Sequence, residues 1–281
     1  SVDLEPQGMS LAPATAPEPD IDPVVQLRQR HAGRRVLLAE DDDVSQVAMV
    51  ELLGDAGLVV DTADDGLAAV DKASRRPYAL IVLDLRMPRL DGISAARTIR
   101  ALPGLQSTPL VAITANAFEE DRIACRMAGM NDFLPKPVEV RRLYDMLLHW
   151  LDQAGSAPAP RLEGTPAPMY PAPPPASPLP PAPAPAAGAV PGVDLMAPLL
   201  GLEGVDAVGG LASVGGKATV YRRLLAVFHT THHDDGQQVC RLIEAGDTQA
   251  AGALAHRMRG SAATLGLIDV ETAAAALELA T

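Results

Sequence analysis

The sequence is poor in cysteine, in aromatic residues and in positive charge. Its two cysteines, Cys125 and Cys240, match neither a CxxC motif nor a zinc-ligand spacing, which favours a reducing, cytoplasmic setting. The formal net charge of -12 argues against a nucleic-acid partner, because an acidic chain repels phosphate backbones unless it carries a separate basic patch. No apolar run approaches the roughly 20 residues that cross a bilayer, so we expect no membrane contact from this stretch. Aromatic residues make up 3% of the chain, but the apolar total of 48% is ample for folded cores.

The composition changes along the 281 residues in a way that predicts two folded domains. Residues 1–33 are weakly patterned and are interpreted as a linker or tail, and residues 34–152 alternate between strand and helix patterns. Residues 153–192 contain 14 prolines, and such a segment prefers extended polyproline geometry to a packed core, so we expect a disordered Pro/Ala-rich linker. Residues 193–281 carry only helical patterns. Because the chain begins without Met and stops inside a helical pattern, we expect it to be a piece of a longer protein.

The alternating part predicts a parallel sheet with helices on both faces. Strand patterns cover 35–39, 58–61, 79–83, 109–113 and 132–134, and helical patterns lie near 44–56, 65–75, 92–101, 119–128 and 138–152. Five strand–helix units of this length are typical of a five-stranded, doubly wound α/β domain. In the last segment the helical patterns cover 217–233, 237–259 and 269–281, with a new helix expected at Asp247 inside the second. These helices predict a separate all-α bundle.

Polar side chains follow four of the predicted strands at the point where each strand ends. Glu40 and Asp41 follow the first strand, Asp84 the third, Thr114 the fourth and Lys136 the fifth. Because the carboxyl ends of neighbouring parallel strands converge, the three acids would crowd together and need a compensating cation. A few hard oxygen ligands suit Mg²⁺, and a hydroxyl and an ammonium beside the same point are partners for phosphate oxygens. The pattern therefore predicts that the carboxylate of Asp84 accepts a phosphoryl group by in-line attack.

Taken one at a time, these residues have simpler interpretations. Glu40 and Asp41 would more often be helix caps than metal ligands. A lone Thr114 is usually a strand-end hydroxyl, and a lone Lys136 is usually a surface cation. The next acid in the sequence, Asp42, favours a solvated or N-cap role. The joint placement of complementary groups at successive strand ends is what favours the phosphoacceptor hypothesis.

Four motifs resemble those of the receiver domain of two-component response regulators, over residues 34–152. They are VLLAEDDDVSQ, IVLDLRMPRLDG, VAITANA and DFLPKPV. The resemblance implies a flavodoxin-like fold and the following roles: Glu40 and Asp41 as Mg²⁺ acids, Asp84 as acceptor and metal ligand, the backbone carbonyl of Arg86 as a further ligand, Thr114 as the switch hydroxyl, Lys136 as the phosphate partner and Phe133 as the switch aromatic. It also implies that the Lys136-Pro137 bond can be cis. The Glu-Asp order is most similar to receivers fused to hybrid sensor kinases.

A second motif, AHRMRGSAATLG, resembles the centre of histidine phosphotransfer (HPt) domains. The resemblance implies that His256 is a phosphoacceptor, with Arg259 where the family usually has lysine. Arginine keeps the positive charge and can bind phosphoryl oxygens. Family bundles normally have one more helix after LELA, so we expect this domain to be truncated at its C-terminus. Three other histidines are interpreted as packed or solvated side chains: His229, His232 and His233.

Together the two resemblances imply phosphorelay signal transduction by part of a hybrid sensor histidine kinase. Asp84 would take a phosphoryl group from a phosphohistidine in a Mg²⁺-dependent reaction, and His256 would relay phosphoryl groups to or from an aspartyl phosphate. The expected partners are a histidine kinase core and a downstream response regulator receiver domain, and membrane anchoring of the parent stays open.

Whether this stretch is itself an enzyme also stays open, because the sequence has no Walker A motif and no glycine-rich ATP lid. Two alternatives remain. One is a non-catalytic scaffold that keeps both folds without phosphoryl transfer. The other is a Mg²⁺-dependent aspartate-nucleophile phosphatase, which would usually need a second acid where Arg86 stands.

Overall fold

The computed structural model describes residues 22–114, 119–155, 199 and 201–281, which form two folded units. The first unit consists of α1 (Pro23–His31), β1 (Arg35–Ala39), α2 (Asp43–Asp55), β2 (Val59–Ala63), α3 (Gly66–Arg75), β3 (Leu80–Asp84), α4 (Gly92–Ala101), β4 (Leu110–Thr114), α5 (Glu119–Met127), β5 (Asp132–Pro135) and α6 (Val140–Gly155). The second consists of α7 (Ala207–Ala212), α8 (Ala218–His232), α9 (Asp235–Glu244), α10 (Thr248–Leu265) and α11 (Ile268–Ala280). Residues 1–21 of the predicted tail and 156–192 of the predicted linker lie outside the described residues.

The five strands form one parallel sheet in the order β2-β1-β3-β4-β5. Side chains of α3, α4 and α5 build the apolar core on one face, and side chains of α1, α2 and α6 build the core on the other. Strand β3 is buried along its whole length, as its run of large apolar residues predicts. The predicted doubly wound α/β fold is therefore confirmed, and the strand order places the carboxyl end of β3 between those of β1 and β4.

Helix α1 lies within the segment that the sequence analysis assigns to a linker or tail. Its Leu27 is fully buried in the same core as α2 and α6. The Nε2 atom of His31 lies 2.8 Å from a carboxylate oxygen of Asp152 on α6. Residues 23–31 therefore pack on the α/β unit, while the exact domain boundaries stay predictions.

The second unit is entirely helical within the residues that the structure describes. Asp247 starts α10 as expected, because its side chain accepts a hydrogen bond from the amide of Ala250. Helix α10 ends at Gly266, which has a φ of +68° and comes so close to Asp206 that a Cβ would lie 2.2 Å from its carbonyl oxygen. The sequence analysis missed the short helix α7, whose N-cap is Asp206. None of the described helices combines the length and the apolar character needed to cross a membrane.

The two units meet through α2 of the first unit and α8 and α10 of the second. We call this contact the interdomain interface. Lys217 forms an ion pair with Asp55, and Arg223 forms one with Glu51 at 3.3 Å. The buried apolar cluster between the units consists of Val44, Ala48, Val214, Tyr221, Leu224 and Leu265. Because α2 begins directly after the acids that end β1, the interface lies next to the predicted site.

Candidate functional site

The carboxyl ends of β1 and β3 bring three acids together. One carboxylate oxygen each from Glu40, Asp41 and Asp84 lies within 4.8 Å of the others. Lys136, which follows β5, places its Nζ atom 2.7 Å from Glu40 Oε1 and 2.6 Å from Asp84 Oδ2. The strand order thus gathers acids and a lysine that are up to 96 positions apart in the chain.

Burial controls the charges of this cluster. It raises the pKa of Glu40 well above its ordinary value, although the ammonium of Lys136 opposes the shift. Burial, followed by the charge of Asp84, raises the pKa of Asp41 to about 6. Burial by itself would lower the pKa of Lys136, but the carboxylates of Asp84 and Glu40 raise it, so this ammonium stays charged. Three acids therefore share one lysine, and the site favours a further cation.

The donor set fits a hard divalent cation. All the clustered ligand atoms are carboxylate oxygens, which is the chemistry that Mg²⁺ prefers. Glu40 Oε2 is buried and has no hydrogen-bond partner within the described part of the chain. A buried anionic oxygen without a donor is costly, and a metal ion would satisfy it. The residues present therefore fit the predicted magnesium site.

The remaining predicted residues of the first unit surround this cluster. The amide of Arg86 donates a hydrogen bond of 3.0 Å to Asp84 Oδ1, so the loop after β3 folds back over the Asp84 carboxylate. Thr114 is buried at the end of β4, and its carbonyl accepts a 2.8 Å hydrogen bond from the amide of Lys136. Phe133 is partly buried, and the Arg122 guanidinium carbon lies 4.7 Å from the centre of its ring. The metal contact of the Arg86 carbonyl and the switching roles of Thr114 and Phe133 stay predictions.

Two backbone features shape the loops around Asp84. Gly92 begins α4 so close to strand β3 that a Cβ would lie 2.1 Å from the carbonyl oxygen of Asp84, so only glycine fits there. The peptide bond between Lys136 and Pro137 is cis, as the family resemblance allows. Both features lie beside the side chains that the site uses.

In the second unit, His256 contacts a residue that the sequence analysis missed. Its Nδ1 atom lies 2.8 Å from Glu278 Oε1, and Arg259 Nη1 lies 2.7 Å from Glu278 Oε2. Burial lowers the pKa of His256, and the carboxylate of Glu278 opposes that shift. The only signal for Glu278 in the sequence is a lone acid near the end of an alanine-rich helix, which is normally a solvated residue.

The same glutamate connects the two units. Arg86 Nη1 of the first unit lies 2.7 Å from Glu278 Oε1. Because the amide of Arg86 also binds Asp84, a short chain of contacts joins the two predicted phosphoacceptors. Burial lowers the pKa of His256 overall, and among the charges of the first unit Arg86 adds to this shift while Asp84 opposes it. The structure thus links the two predicted phosphoacceptors through Arg86 and Glu278.

Asp42 is the N-cap of α2, which is one of the roles predicted for it, but it is buried in the interdomain interface rather than solvated. It accepts hydrogen bonds from the amide of Ser45 at 2.8 Å and from the hydroxyl of Ser261 in the second unit. Burial by itself would raise the pKa of Asp42, but hydrogen bonds with His232 and Ser261 lower it overall. His232 is packed, in line with its interpretation, and its Nδ1 lies 2.6 Å from Asp235 Oδ2.

The two units match two family models. Residues 36–148 match the response regulator receiver domain, and residues 223–281 match the Hpt domain.

Similar proteins include the signal transduction histidine-protein kinase BarA of Escherichia coli K12, which is 38% identical over 120 residues, a match that covers 42% of this chain and 13% of BarA. The sensor protein GacS of Pseudomonas syringae pv. syringae is 33% identical over 144 residues, covering 50% of this chain and 15% of GacS. The matched segment therefore spans well under a fifth of these relatives.

Among solved structures, this chain is similar to the receiver domain of a sensor histidine kinase from Pseudomonas aeruginosa PAO1. That structure has a magnesium ion coordinated in its active site cleft. It is 42% identical, covers 43% of this chain and 99% of that chain, and superposes with a TM-score of 0.42. By its two family matches and its relatives, this chain contains a response regulator receiver domain followed by an Hpt domain, the domains of hybrid histidine kinases, an arrangement consistent with phosphorelay signal transduction.

Proposed function

We propose that this chain is a two-site phosphorelay segment, with Asp84 as the receiver acceptor and His256 as the Hpt acceptor. The observation that carries the proposal is the contact of Lys136 Nζ with both Asp84 and Glu40 beside the convergent acids. A lysine and an acid cluster at one point match the needs of an acceptor carboxylate that must carry a phosphoryl group.

In the receiver step, a carboxylate oxygen of Asp84 attacks the phosphorus of a phosphohistidine. The new O–P bond forms as the N–P bond breaks, and the donor imidazole leaves with that electron pair. The ammonium of Lys136 neutralises charge on the phosphoryl oxygens, and the amide of Arg86 holds the other carboxylate oxygen in place. Glu40, Asp41, Asp84 and the Arg86 carbonyl would hold Mg²⁺. When bound, that ion supplies electrostatic stabilisation of the acids and of the phosphoryl oxygens.

Phosphorylation of Asp84 also provides a switch. The new oxygens accept a hydrogen bond from the Thr114 hydroxyl, and the inward movement of that side chain frees space for the ring of Phe133. Phe133 is partly buried at the edge of the core, and the Arg122 guanidinium lies 4.7 Å from the centre of its ring. The surface formed by β4 and β5 would then differ between the two states.

In the Hpt step, His256 exchanges the phosphoryl group with an aspartyl phosphate, and Arg259 binds the phosphoryl oxygens in place of the usual lysine. The partners of this segment are a histidine kinase core and a downstream response regulator receiver domain. The parent protein is a hybrid sensor histidine kinase.

The proposal is tested by incubating the 281-residue chain with labelled acetyl phosphate, in Mg²⁺ and then in chelator. We expect Mg²⁺-dependent, hydroxylamine-sensitive label that Asp84→Asn abolishes. The matched control is Asp71→Asn, which removes the same charge from the exposed face of α3. Label on Asp84→Asn at the wild-type rate would exclude Asp84 as the acceptor, and the absence of label on the wild type would favour a non-catalytic scaffold.

The Hpt acceptor has its own readout, because phosphohistidine survives alkali and aspartyl phosphate does not. We expect alkali-stable label to accumulate in the wild type and to be lost in His256→Gln. His233→Gln, which changes an exposed histidine, is the matched control. Alkali-stable label that persists in His256→Gln would assign the acceptor to another histidine.

A further inference from the structure

A chain of buried hydrogen bonds crosses the interdomain interface. His232, at the end of α8, places its Nδ1 atom 2.6 Å from Asp235 Oδ2 and its Nε2 atom 3.0 Å from the hydroxyl oxygen of Ser261. That hydroxyl donates its own hydrogen bond to Oδ2 of Asp42, the N-cap of α2 in the receiver. His232 Nε2 itself lies 3.6 Å from the same Asp42 oxygen. All four side chains are buried, and only Asp42 belongs to the receiver.

The donors and acceptors of this chain decide the charge of His232. The ionised carboxylates of Asp42 and Asp235 can only accept hydrogen bonds, and the hydroxyl of Ser261 has a single proton to donate. Because that proton goes to Asp42, the Ser261 oxygen can only accept from His232. Both ring nitrogens therefore face acceptors, and only the imidazolium carries a proton on each of them. Burial by itself would lower the pKa of His232, but its interactions with Asp42 and Asp235 raise it, in agreement with a charged ring.

Loss of the proton from Nε2 breaks this chain at the interface. The nitrogen then has a lone pair, which meets a lone pair of the Ser261 oxygen for as long as that hydroxyl donates to Asp42. The hydroxyl can turn and donate to Nε2, but Asp42 Oδ2 then loses a donor in a buried position. A buried carboxylate oxygen without its donor is unfavourable. Separation of the domains returns that oxygen to water.

The charges around the ring act in the same direction. The charged side chains near it on the helices packed against α8 are Asp42, Asp43, Asp235 and Arg257. Burial chiefly raises the pKa of Asp43, and the charges of His232 and Arg257 oppose that rise. Arg257 is exposed on α10, so His232 is the buried cation that both Asp42 and Asp235 contact. A neutral ring would leave these two buried carboxylates without it.

We propose that His232 is a proton-dependent switch of the interdomain interface: the imidazolium keeps the Ser261 hydroxyl on Asp42, and its deprotonation turns that hydroxyl back to the ring and releases the receiver. The Nε2 proton leaves to solvent, the Nδ1 proton stays on Asp235, and no other group changes its charge. This inference goes beyond the proposed function, because it concerns how the two domains dock and not how a phosphoryl group moves.

The sign of the pH dependence follows from linkage. Docking adds Asp42 to the surroundings of His232, whereas Asp235 and Ser261 belong to the Hpt domain in both states. The pKa of the ring is therefore higher in the docked state than in the undocked state. Docking is strongest below the undocked pKa and weakens as pH rises through the docked pKa.

The first measurement is the ring nitrogen shifts of His232 by NMR in the whole chain, titrated with pH. We expect both nitrogens to be protonated at pH 6 and the pKa of His232 to fall in Asp42→Asn. The matched control is Asp234→Asn, which removes the same charge from an exposed position that makes no side-chain cap hydrogen bond. A neutral ring at pH 6 in the wild type, or a pKa that responds equally to both variants, would overturn the inference.

The second measurement is the ratio of docked to undocked chains, obtained by small-angle X-ray scattering at pH 6 and pH 9. Lys217→Ala and Arg223→Ala serve as a common background, because loss of their ion pairs with α2 weakens docking without changing the switch. We expect the ratio to fall about 10-fold with rising pH, as for loss of one charge-assisted hydrogen bond.

Two substitutions in this background isolate the ring. In His232→Gln, which has no titrating group at this position, the fall should disappear, whereas the exposed His233→Gln should keep it. Asp41 and His256 also titrate near the interface, but they are unchanged in both variants, so the difference between the variants reports His232. A ratio that stays constant or rises with pH, or an equal fall in His232→Gln, would refute the switch. Neither measurement involves phosphoryl transfer, so failure of the proposed function would leave this result intact.

Discussion

The substitution Asp42→Ala probes the contact between the two domains. Asp42 is 4% exposed and caps α2 by accepting a hydrogen bond from the amide of Ser45. It also accepts a hydrogen bond from the hydroxyl of Ser261 in the Hpt domain. Loss of the cap alone costs about 1 kcal/mol. Loss of the acceptor for the buried hydroxyl of Ser261 adds about 1 to 3 kcal/mol. We therefore expect the free energy of unfolding to fall by about 2 to 4 kcal/mol.

Asp91→Ala separates the two contributions. Asp91 caps α4 in the same way, through a 2.8 Å hydrogen bond from the amide of Ser94, but it is exposed and lies within the receiver. Its loss should cost only the cap, about 1 kcal/mol. The difference between the two variants, about 1 to 3 kcal/mol, then measures the interdomain part of the Asp42 contacts. Removal of the Asp42 charge also relieves its repulsion with Glu40. This relief raises the free energy of unfolding and so partly offsets the loss of the Asp42 contacts.

A double-mutant cycle removes that complication. Asp42→Ala, Ser261→Ala and the double variant are compared by urea unfolding, with far-UV circular dichroism for both domains and the fluorescence of the single tryptophan, Trp150, for the receiver. We expect a coupling energy of about 1 to 2 kcal/mol between the two positions. A coupling below about 0.5 kcal/mol, with Asp42→Ala no more costly than Asp91→Ala, would refute the interdomain role of Asp42.

Three further outcomes follow from the site. Gly92→Ala should lower the free energy of unfolding by about 2 kcal/mol or more, because the new methyl group meets the carbonyl oxygen of Asp84, and unchanged urea unfolding would contradict this. Lys136→Met should slow acetyl phosphate labelling of Asp84 by about 100-fold, as expected for loss of a charge that stabilises the transition state, and a rate near wild type would exclude that role. Burial by itself would lower the pKa of His232, but its interactions with the carboxylates of Asp42 and Asp235 raise it. The stability that His232 provides is therefore complete below its unfolded pKa of about 6.5 and is lost as pH rises through the higher folded value. Unfolding of the wild type and His232→Gln between pH 5 and 9 should show their difference shrinking with pH, and a difference that grows would refute the sign.

The sequence by itself determined the receiver fold and most of the candidate site. The alternation of strand and helix patterns predicted the number and the positions of the five strands, because a parallel strand that is buried on both faces is a continuous apolar run. The acids and Lys136 could be placed from the same patterns, since the carboxyl ends of parallel strands meet at one edge of the sheet. The motif around His256 and the helix start at Asp247 could also be predicted, because a motif and a helix cap depend only on residues that are close in sequence.

The tertiary structure decided what depends on contacts between distant segments. Glu278 has no motif of its own, and only the packing of α11 beside α10 brings it to His256, 22 residues earlier. Helix α1 was weakly patterned, and the burial of Leu27 against α6 gives it a place in the receiver. Asp42 could be recognised as a helix cap, but its hydrogen bond across the interdomain interface requires Ser261, which is 219 residues away in the sequence. Sequence patterns report the faces of single elements, whereas the choice of a partner across an interface depends on how those faces meet in three dimensions.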